Sequence, residues 1–281
     1  MLDYLKNLGL FSTKLFLITV ALIVTGLIGF AIYNSAIESE NLSFVDDGIC
    51  NVAIIPVAGQ IGLRVSDSEI GYLGDVDRIV SELQYVQNSD SIKAAILQID
   101  SYGGYPIGPE VFYSYALYFD KPLVSWVREA ALSAAYAIAI GTDHIIAGET
   151  SDIGSIGSNA SFVNSADKLE SEGERYVSIV TGPLKDAGTP EKKLNLEDLE
   201  YIAEQNDKVG EIFKNWVAKY RRFSANEVEE LSNGRSWLGV EAKELGLIDE
   251  VGGLQEAIFY LREKRDPTKG LDIVLCEQNW Y

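Results

Sequence analysis

Histidine is almost missing from this chain: His144 stands alone among 281 residues. A Ser-His mechanism therefore has next to no material to work with. Cysteine is scarce too. Cys50 and Cys276 lie far apart, whereas structural zinc wants clustered ligands, so neither a metal site nor a cofactor is expected. A disulfide is permitted outside the cytoplasm, but two buried thiols are the favoured reading. Positive charge is the third shortage. Lys and Arg number 23 against 42 Asp and Glu, a net charge of −19. That balance argues against nucleic acid or anionic lipid as the main partner and describes a solvated, self-repelling surface. The chain has no repeat and no low-complexity tract.

Apolar residues are plentiful, 47% of the total, enough for a sizeable core. Leu15 to Ile32 carries no charge, and about 18 apolar residues suffice to cross a bilayer. Lys6 and Lys14 precede this run, while Glu38, Glu40, Asp46 and Asp47 follow it. The positive-inside bias then puts the N-terminus in the cytoplasm and the rest outside. The expected organisation is a cytoplasmic stretch over 1–14, a transmembrane signal anchor over 15–33 and a polar tether over 34–49. One extracytoplasmic domain fills 50–281. A cleaved signal peptide is the alternative, but the run is long for one and its end is only a fair cleavage site.

Within the domain, the apolar runs Asn51–Val57, Ile92–Ile99, Pro122–Trp126 and His144–Ala147 read as strands. Helical spacing fills Gly71–Gln87, Tyr105–Phe119 and Ala131–Ile140 between them. Near-continuous apolar strands alternating with helices are the signature of βαβ units around a parallel sheet, so the expected fold class is α/β. The second half is more helical. Glu197–Arg221 is amphipathic, with Phe213, Trp216 and Val217 on its apolar stripe. Short helices follow at Ala225–Leu231, plausibly capped by Ser224 with Glu227, and at Gly239–Leu245. Leu254–Lys264 is a further helix and Leu271–Cys276 a final strand.

Two short stretches carry the chemistry. Arg128-Glu-Ala-Ala-Leu-Ser133-Ala-Ala-Tyr136 is a small-residue turn feeding an apolar helix with one serine in it. Thr181-Gly-Pro-Leu-Lys185-Asp-Ala-Gly-Thr-Pro190 holds one lysine between glycines and prolines. A serine hydroxyl is a poor nucleophile until a base takes its proton, and a lysine amine can do so when desolvation lowers its pKa. The bland reading of Ser133 is a helix N-cap, and that of Lys185 an exposed surface charge. Asp186 beside the lysine would keep an ammonium charged if it faced it, although adjacent residues of an extended loop point opposite ways. His144, at a strand start, reads as structural.

Four segments in order, Leu97-Gln-Ile-Asp-Ser-Tyr-Gly-Gly104, Ala131-Leu-Ser133-Ala-Ala-Tyr136, Ile153-Gly-Ser-Ile-Gly157 and Gly182-Pro-Leu-Lys185-Asp-Ala-Gly-Thr-Pro190, resemble the signal peptide peptidase A family. Trp237 to Gly253 also fits that family's C-terminal segment. These are membrane-anchored serine proteases on the Clp protease/crotonase fold, a ββα superhelix. The resemblance implies Ser133 as nucleophile and Lys185 as general base. It implies backbone amides of Gly103 or Gly104 and of Ala134 as oxyanion donors, and Ser155 as the residue that orients the lysine. In short family members serine and lysine sit on neighbouring protomers of a ring, and a homo-oligomer with a shared dyad is expected here. The expected substrates are leftover signal peptides or other apolar segments, with a small to medium apolar pocket formed by Ala134, Ala135, Tyr136 and Ile138.

This chain departs from the family pattern in two places. Tyr102 stands where the family has proline, and Ala134-Ala135 where it has two glycines, which puts methyl groups where backbone approaches closely. Three alternatives follow: a stomatin-associated type of membrane protease, a catalytically inactive peptide-binding scaffold, and, least of all, a crotonase-like acyl-CoA enzyme.

Overall fold

The computed structural model describes residues 20, 23–26, 42–63, 73–263 and 273–279. The expected anchor over 15–33 lies outside them, apart from residues 20 and 23–26, which are helical and exposed. No helix among the described residues is long and apolar enough to cross a membrane.

The domain is a mixed α/β structure around a mainly parallel sheet. Its first half runs β1 (Phe44–Val45), β2 (Val52–Ile61), α1 (Val76–Asn88), β3 (Ala94–Gly104), α2 (Ile107–Ala116), β4 (Leu123–Leu132), α3 (Ala134–Ala139), β5 (His144–Ala147) and β6 (Asp152–Gly154). Its second half runs α4 (Ala166–Ser171), α5 (Leu196–Arg221), α6 (Ala225–Leu231), β7 (Ser236–Leu238), α7 (Gly239–Glu244), β8 (Glu250–Val251), α8 (Leu254–Glu263) and β9 (Glu277–Gln278). Strands β2, β3, β4, β5 and β8 lie side by side, all parallel.

The strands are apolar on both faces because both faces are covered. Ile55, Leu97, Val127 and Ala147 enter the main core under α1 and α3. Ile54, Ile96, Val124 and Ile146 enter a second cluster closed by Ala257 and Leu261 of α8. Helix α5 begins with a reciprocal cap: Asn195 accepts from the Asp198 amide, and Asp198 accepts from the Asn195 amide. The predicted Ser224–Glu227 cap of α6 is present.

Strand β4 is longer than its sequence suggests, and it forks the sheet. Its first half pairs with β5, from Val124↔His144 to Val127↔Ala147. Its second half leaves β5 and pairs with β6, from Ala130↔Asp152 to Leu132↔Gly154. Ala131 and Leu132 were expected at the start of a helix; they are strand, and the helix starts at Ala134. Alanine favours helix intrinsically, but the ladder to β6 supplies long-range hydrogen bonds that override a preference of a few tenths of a kcal/mol.

The expected strand Leu271–Cys276 is also corrected. Leu275 makes only an isolated bridge to Val52, and the strand proper is Glu277–Gln278, antiparallel to β1. That pairing brings Cys50 and Cys276 together, and they form a disulfide across a separation of 226 residues. The reading of two buried thiols is thereby overturned. The β1 segment is held from its other side as well. Glu82, buried on α1, accepts from the Ser43 amide (3.0 Å) and hydroxyl (2.6 Å) and pairs with Arg78 (2.7 Å).

At the other end, Arg221 fastens α5 to the sheet. Its guanidinium donates to both Asp249 carboxylate oxygens (2.9 and 3.0 Å) and to the Gly246 carbonyl. Burial pushes the Asp249 carboxyl up, but the Arg221 bonds, the Ile145 amide and His144 outweigh it and hold it below the ordinary carboxylate value.

Two stability predictions follow from these ties. Replacing both cysteines by alanine is expected to lower unfolding stability by about 2–5 kcal/mol in denaturant titrations, because the bridge closes so long a loop. Asp249→Asn is expected to cost about 1–3 kcal/mol at neutral pH. A depressed carboxylate contributes above its unfolded pKa of about 4 and loses that contribution as pH falls through its lower folded value. The gap between wild type and Asp249→Asn therefore narrows on acidification below about pH 4.

Candidate active site

The predicted serine lies where β4 runs into α3. Ser133 occupies the N-cap position, yet its side chain makes no capping hydrogen bond. The bland reading of an N-cap serine therefore fails. Its backbone has φ 52° and ψ −123°, a left-handed conformation that costs a non-glycine residue about 1–3 kcal/mol. The Ser133 amide donates to the Gly154 carbonyl at 2.8 Å, extending the β4–β6 ladder by one step. Among the described residues, the hydroxyl has no partner.

That step lines up three predicted positions at the carboxyl ends of three adjacent parallel strands. Gly103 lies at the end of β3, Ser133 follows β4, and Ser155 follows β6. Gly103 has φ 108°, and a Cβ there would sit 2.7 Å from the Ser133 Cβ and 3.2 Å from its Oγ. Glycine is thus required by both backbone angle and the serine's closeness. Ser155 is also left-handed, at φ 50°, with its amide given to the Arg235 carbonyl.

The candidate oxyanion donors differ in availability. The Gly103 amide donates to Ser101 Oγ at 3.1 Å, and Ser101 in turn donates to the Gly59 carbonyl at 2.6 Å. The Tyr105 amide donates to the Ile61 carbonyl of β2. Neighbouring amides of a strand point to opposite edges, so the Gly104 amide faces the β4 side, where Ser133 lies. The Ala134 amide opens α3, and the first amides of a helix have no acceptor inside it. The Ala134 amide is therefore freer than that of Gly103.

The expected pocket wall is corrected. Ala135, Tyr136 and Ile138 are wholly buried, and the Tyr136 hydroxyl donates to the Leu247 carbonyl. They form the core beneath the serine and line no open pocket; Ala134 alone keeps a trace of exposure. The reason is the short helix: with α3 starting at Ala134, these side chains turn inward on its first turn.

Lys185 is exposed and makes no hydrogen bond to Ser133 within one chain. Its loop nevertheless sorts its three lysines. Lys192 donates to Asp186 (2.9 Å) and to the buried Asp198 (2.7 Å). These hydrogen bonds, that to Asp198 first, raise the Lys192 pKa above its ordinary value. Lys193 lies 3.6 Å from both Asp167 and Glu170. Lys185 has no carboxylate partner among the described residues. The neighbouring Asp186 is held by Lys192 instead. Neither Ser101 nor the Lys192–Asp198 pair was assigned a role from sequence. Ser101 stands inside a quoted motif, and the Asn195/Asp198 spacing of a helix start was the signal for Asp198.

His144 sits at the far end of the sheet. It pairs with Val124 at the start of β4, roughly 30 Å from Ser133 at about 3.3 Å per residue. Its ring stacks on Tyr260 (4.0 Å) and reaches Glu250 (3.3 Å), a structural setting.

The model of peptidase family S49 matches residues 117–267, more than half the chain, and takes in Ser133, Ala134, Ser155 and Lys185. A candidate signal peptide peptidase of Enterococcus faecium is 31% identical over 194 residues, covering 67% of this chain and 56% of its own. A candidate protease of Methanocaldococcus jannaschii is 29% identical over 191 residues, covering 67% and 61%. A chloroplastic serine protease of Arabidopsis thaliana is 29% identical over 231 residues, covering 80% and 34%. The chain thus spans from about a third to three fifths of the length of these relatives. With the family model covering both the serine turn and the lysine loop, the chain belongs to peptidase family S49.

Proposed function

We propose that this chain is a serine endopeptidase that works with a Ser-Lys dyad on a Clp protease/crotonase-like superhelix. The observation that carries the reading is Ser133: a strained serine with an uncommitted hydroxyl, packed against Gly103 where three parallel strands end. Strain of this kind collects at functional sites because only a supported framework sustains it. Ser133 Oγ attacks a peptide carbonyl while the neutral Lys185 amine takes its proton. The oxyanion rests on the Gly104 and Ala134 amides, with Gly103 as the alternative donor on β3. The lysine passes the proton to the leaving amine, and water then cleaves the acyl-enzyme. Ser155 orients the lysine. Neither metal nor cofactor takes part.

A general base must be neutral, which calls for burial away from carboxylates. Freedom from carboxylates favours Lys185 over Lys192 and Lys193. Burial is lacking in the single chain, and a second protomer of a homo-oligomer supplies it in this reading. The segment before the lysine supports such a partner. Val177 is 73% exposed and Ile179 97%, and the backbone amides of 175–180 find no acceptor among the described residues. A β-prone, apolar, unpaired segment is what a neighbouring copy would cover.

The chain is further proposed to sit in the cell membrane by one N-terminal helix, N-terminus inside and domain outside. The Cys50–Cys276 disulfide suits an oxidising side, and the lysines before residue 15 suit the orientation. Apolar peptides, among them signal peptides already released, are the proposed substrates.

The test uses full-length protein in detergent. A fluorophosphonate probe is expected to label wild type and not Ser133→Ala. Peptide cleavage is expected to fall at least about 10³-fold in Ser133→Ala and about 10²–10⁴-fold in Lys185→Ala. Co-assembling the two inactive variants is expected to restore part of the activity, since a mixed pair of neighbours contains one intact serine facing one intact lysine. No labelling of assembled wild type would favour the peptide-binding scaffold. Active wild type without restoration in mixed particles would place the dyad within one protomer.

A further inference from the structure

Tyr102 has no part in the mechanism above, yet it is tethered one residue before the glycine that packs on the nucleophile. Its neighbours on β3 are both immobilised. Ser101 is fully buried, with its hydroxyl bonded to Gly59 and to the Gly103 amide, and Gly103 packs on Ser133. Successive side chains of a strand point to opposite faces, so Tyr102 points away from the core that holds Ser101. Two thirds of the residue is exposed (67%). The ring nevertheless does not swing freely. Its hydroxyl donates to Glu129 Oε1 at 2.9 Å, bridging from β3 to β4 just ahead of Ser133. Glu129 is held in its turn, its amide donating to Asp100 Oδ1 at 2.7 Å.

The Tyr102 ring is a large aromatic face, open to solvent but tethered at its polar tip. It offers apolar contact area with little rotamer entropy left to lose on binding. We propose that Tyr102 is a specificity-determining residue: a platform on which an apolar side chain of the peptide substrate, close to the scissile bond, packs when Ser133 attacks. This rests on the peptidase reading above and adds a selectivity to it. The phenol remains a neutral donor over the working range, since the bond to Glu129, its charge and those of Asp152 and Asp100 raise its pKa. The departure from proline at this position thereby acquires a purpose, because proline would supply neither ring nor tether.

The experiment compares full-length wild type, Tyr102→Ala and Tyr102→Phe on paired peptides that carry leucine or alanine at single positions around the cleaved bond. In wild type the leucine peptide is expected to be preferred at one position. Tyr102→Ala is expected to reduce that ratio of kcat/KM values by about tenfold or more, chiefly through KM, as removal of an apolar contact does. Tyr102→Phe keeps the ring and is expected to retain most of the preference. An unchanged ratio in a cleaving Tyr102→Ala would overturn the proposal and leave the peptidase reading intact. Dissociation of Tyr102→Ala particles in light scattering would also overturn it, in favour of a contact between protomers. Absence of both cleavage and probe labelling in wild type would instead remove the peptidase reading, and this proposal with it.

Discussion

The Ser133 amide reaches the Gly154 carbonyl because β4 outruns β5 and hands its last residues to β6. Everything at the site depends on that transfer. It turns Ser133 into a left-handed conformation at the edge of the sheet. It sets Gly103 against the serine on one side and Ser155 on the other. A strain of about 1–3 kcal/mol at one residue is offset by ladder bonds and by burial of Ala131 and Ile153 behind it. The same fork explains why α3 is short and why Tyr136 and Ile138 point into the core.

Much of the framework was legible in the sequence because its strands carry the mark of burial on both faces. β5 and the first parts of β2 and β3 were found from continuous apolar runs, and α5 from its amphipathic stripe, whereas the last residues of β2 and β3 were not. Nor was the end of β4. Alanine and leucine fit helix or strand equally when buried all round, and the ladder that decided between them comes from β6, a strand only three residues long. The disulfide was equally hidden, since the adjacency of Cys50 and Cys276 arises from the pairing of β1 with a short β9.

For the site, residue types were readable and environments were not. A serine after small residues and a lysine among glycines could be picked out as a pair. The division of labour among the loop's three lysines could not, because it rests on Asp198, a carboxylate at the start of α5 that reaches back to Lys192. Asp186 is held by that same lysine and by the Ser178 hydroxyl. The loop therefore carries its own electrostatic insulation. One lysine takes up the nearby negative charge, and Lys185 is left without a carboxylate partner among the described residues.

The sulfur bridge has a mechanical consequence. Cys50 lies between β1 and β2 and Cys276 just before β9, with their Cα atoms 4.9 Å apart. Tension applied between the chain before Cys50 and the chain after Cys276 passes through one covalent link. β2 to β8 and the strained turn of Ser133 lie within the loop that this link closes, so a pull applied to the chain outside it bypasses them.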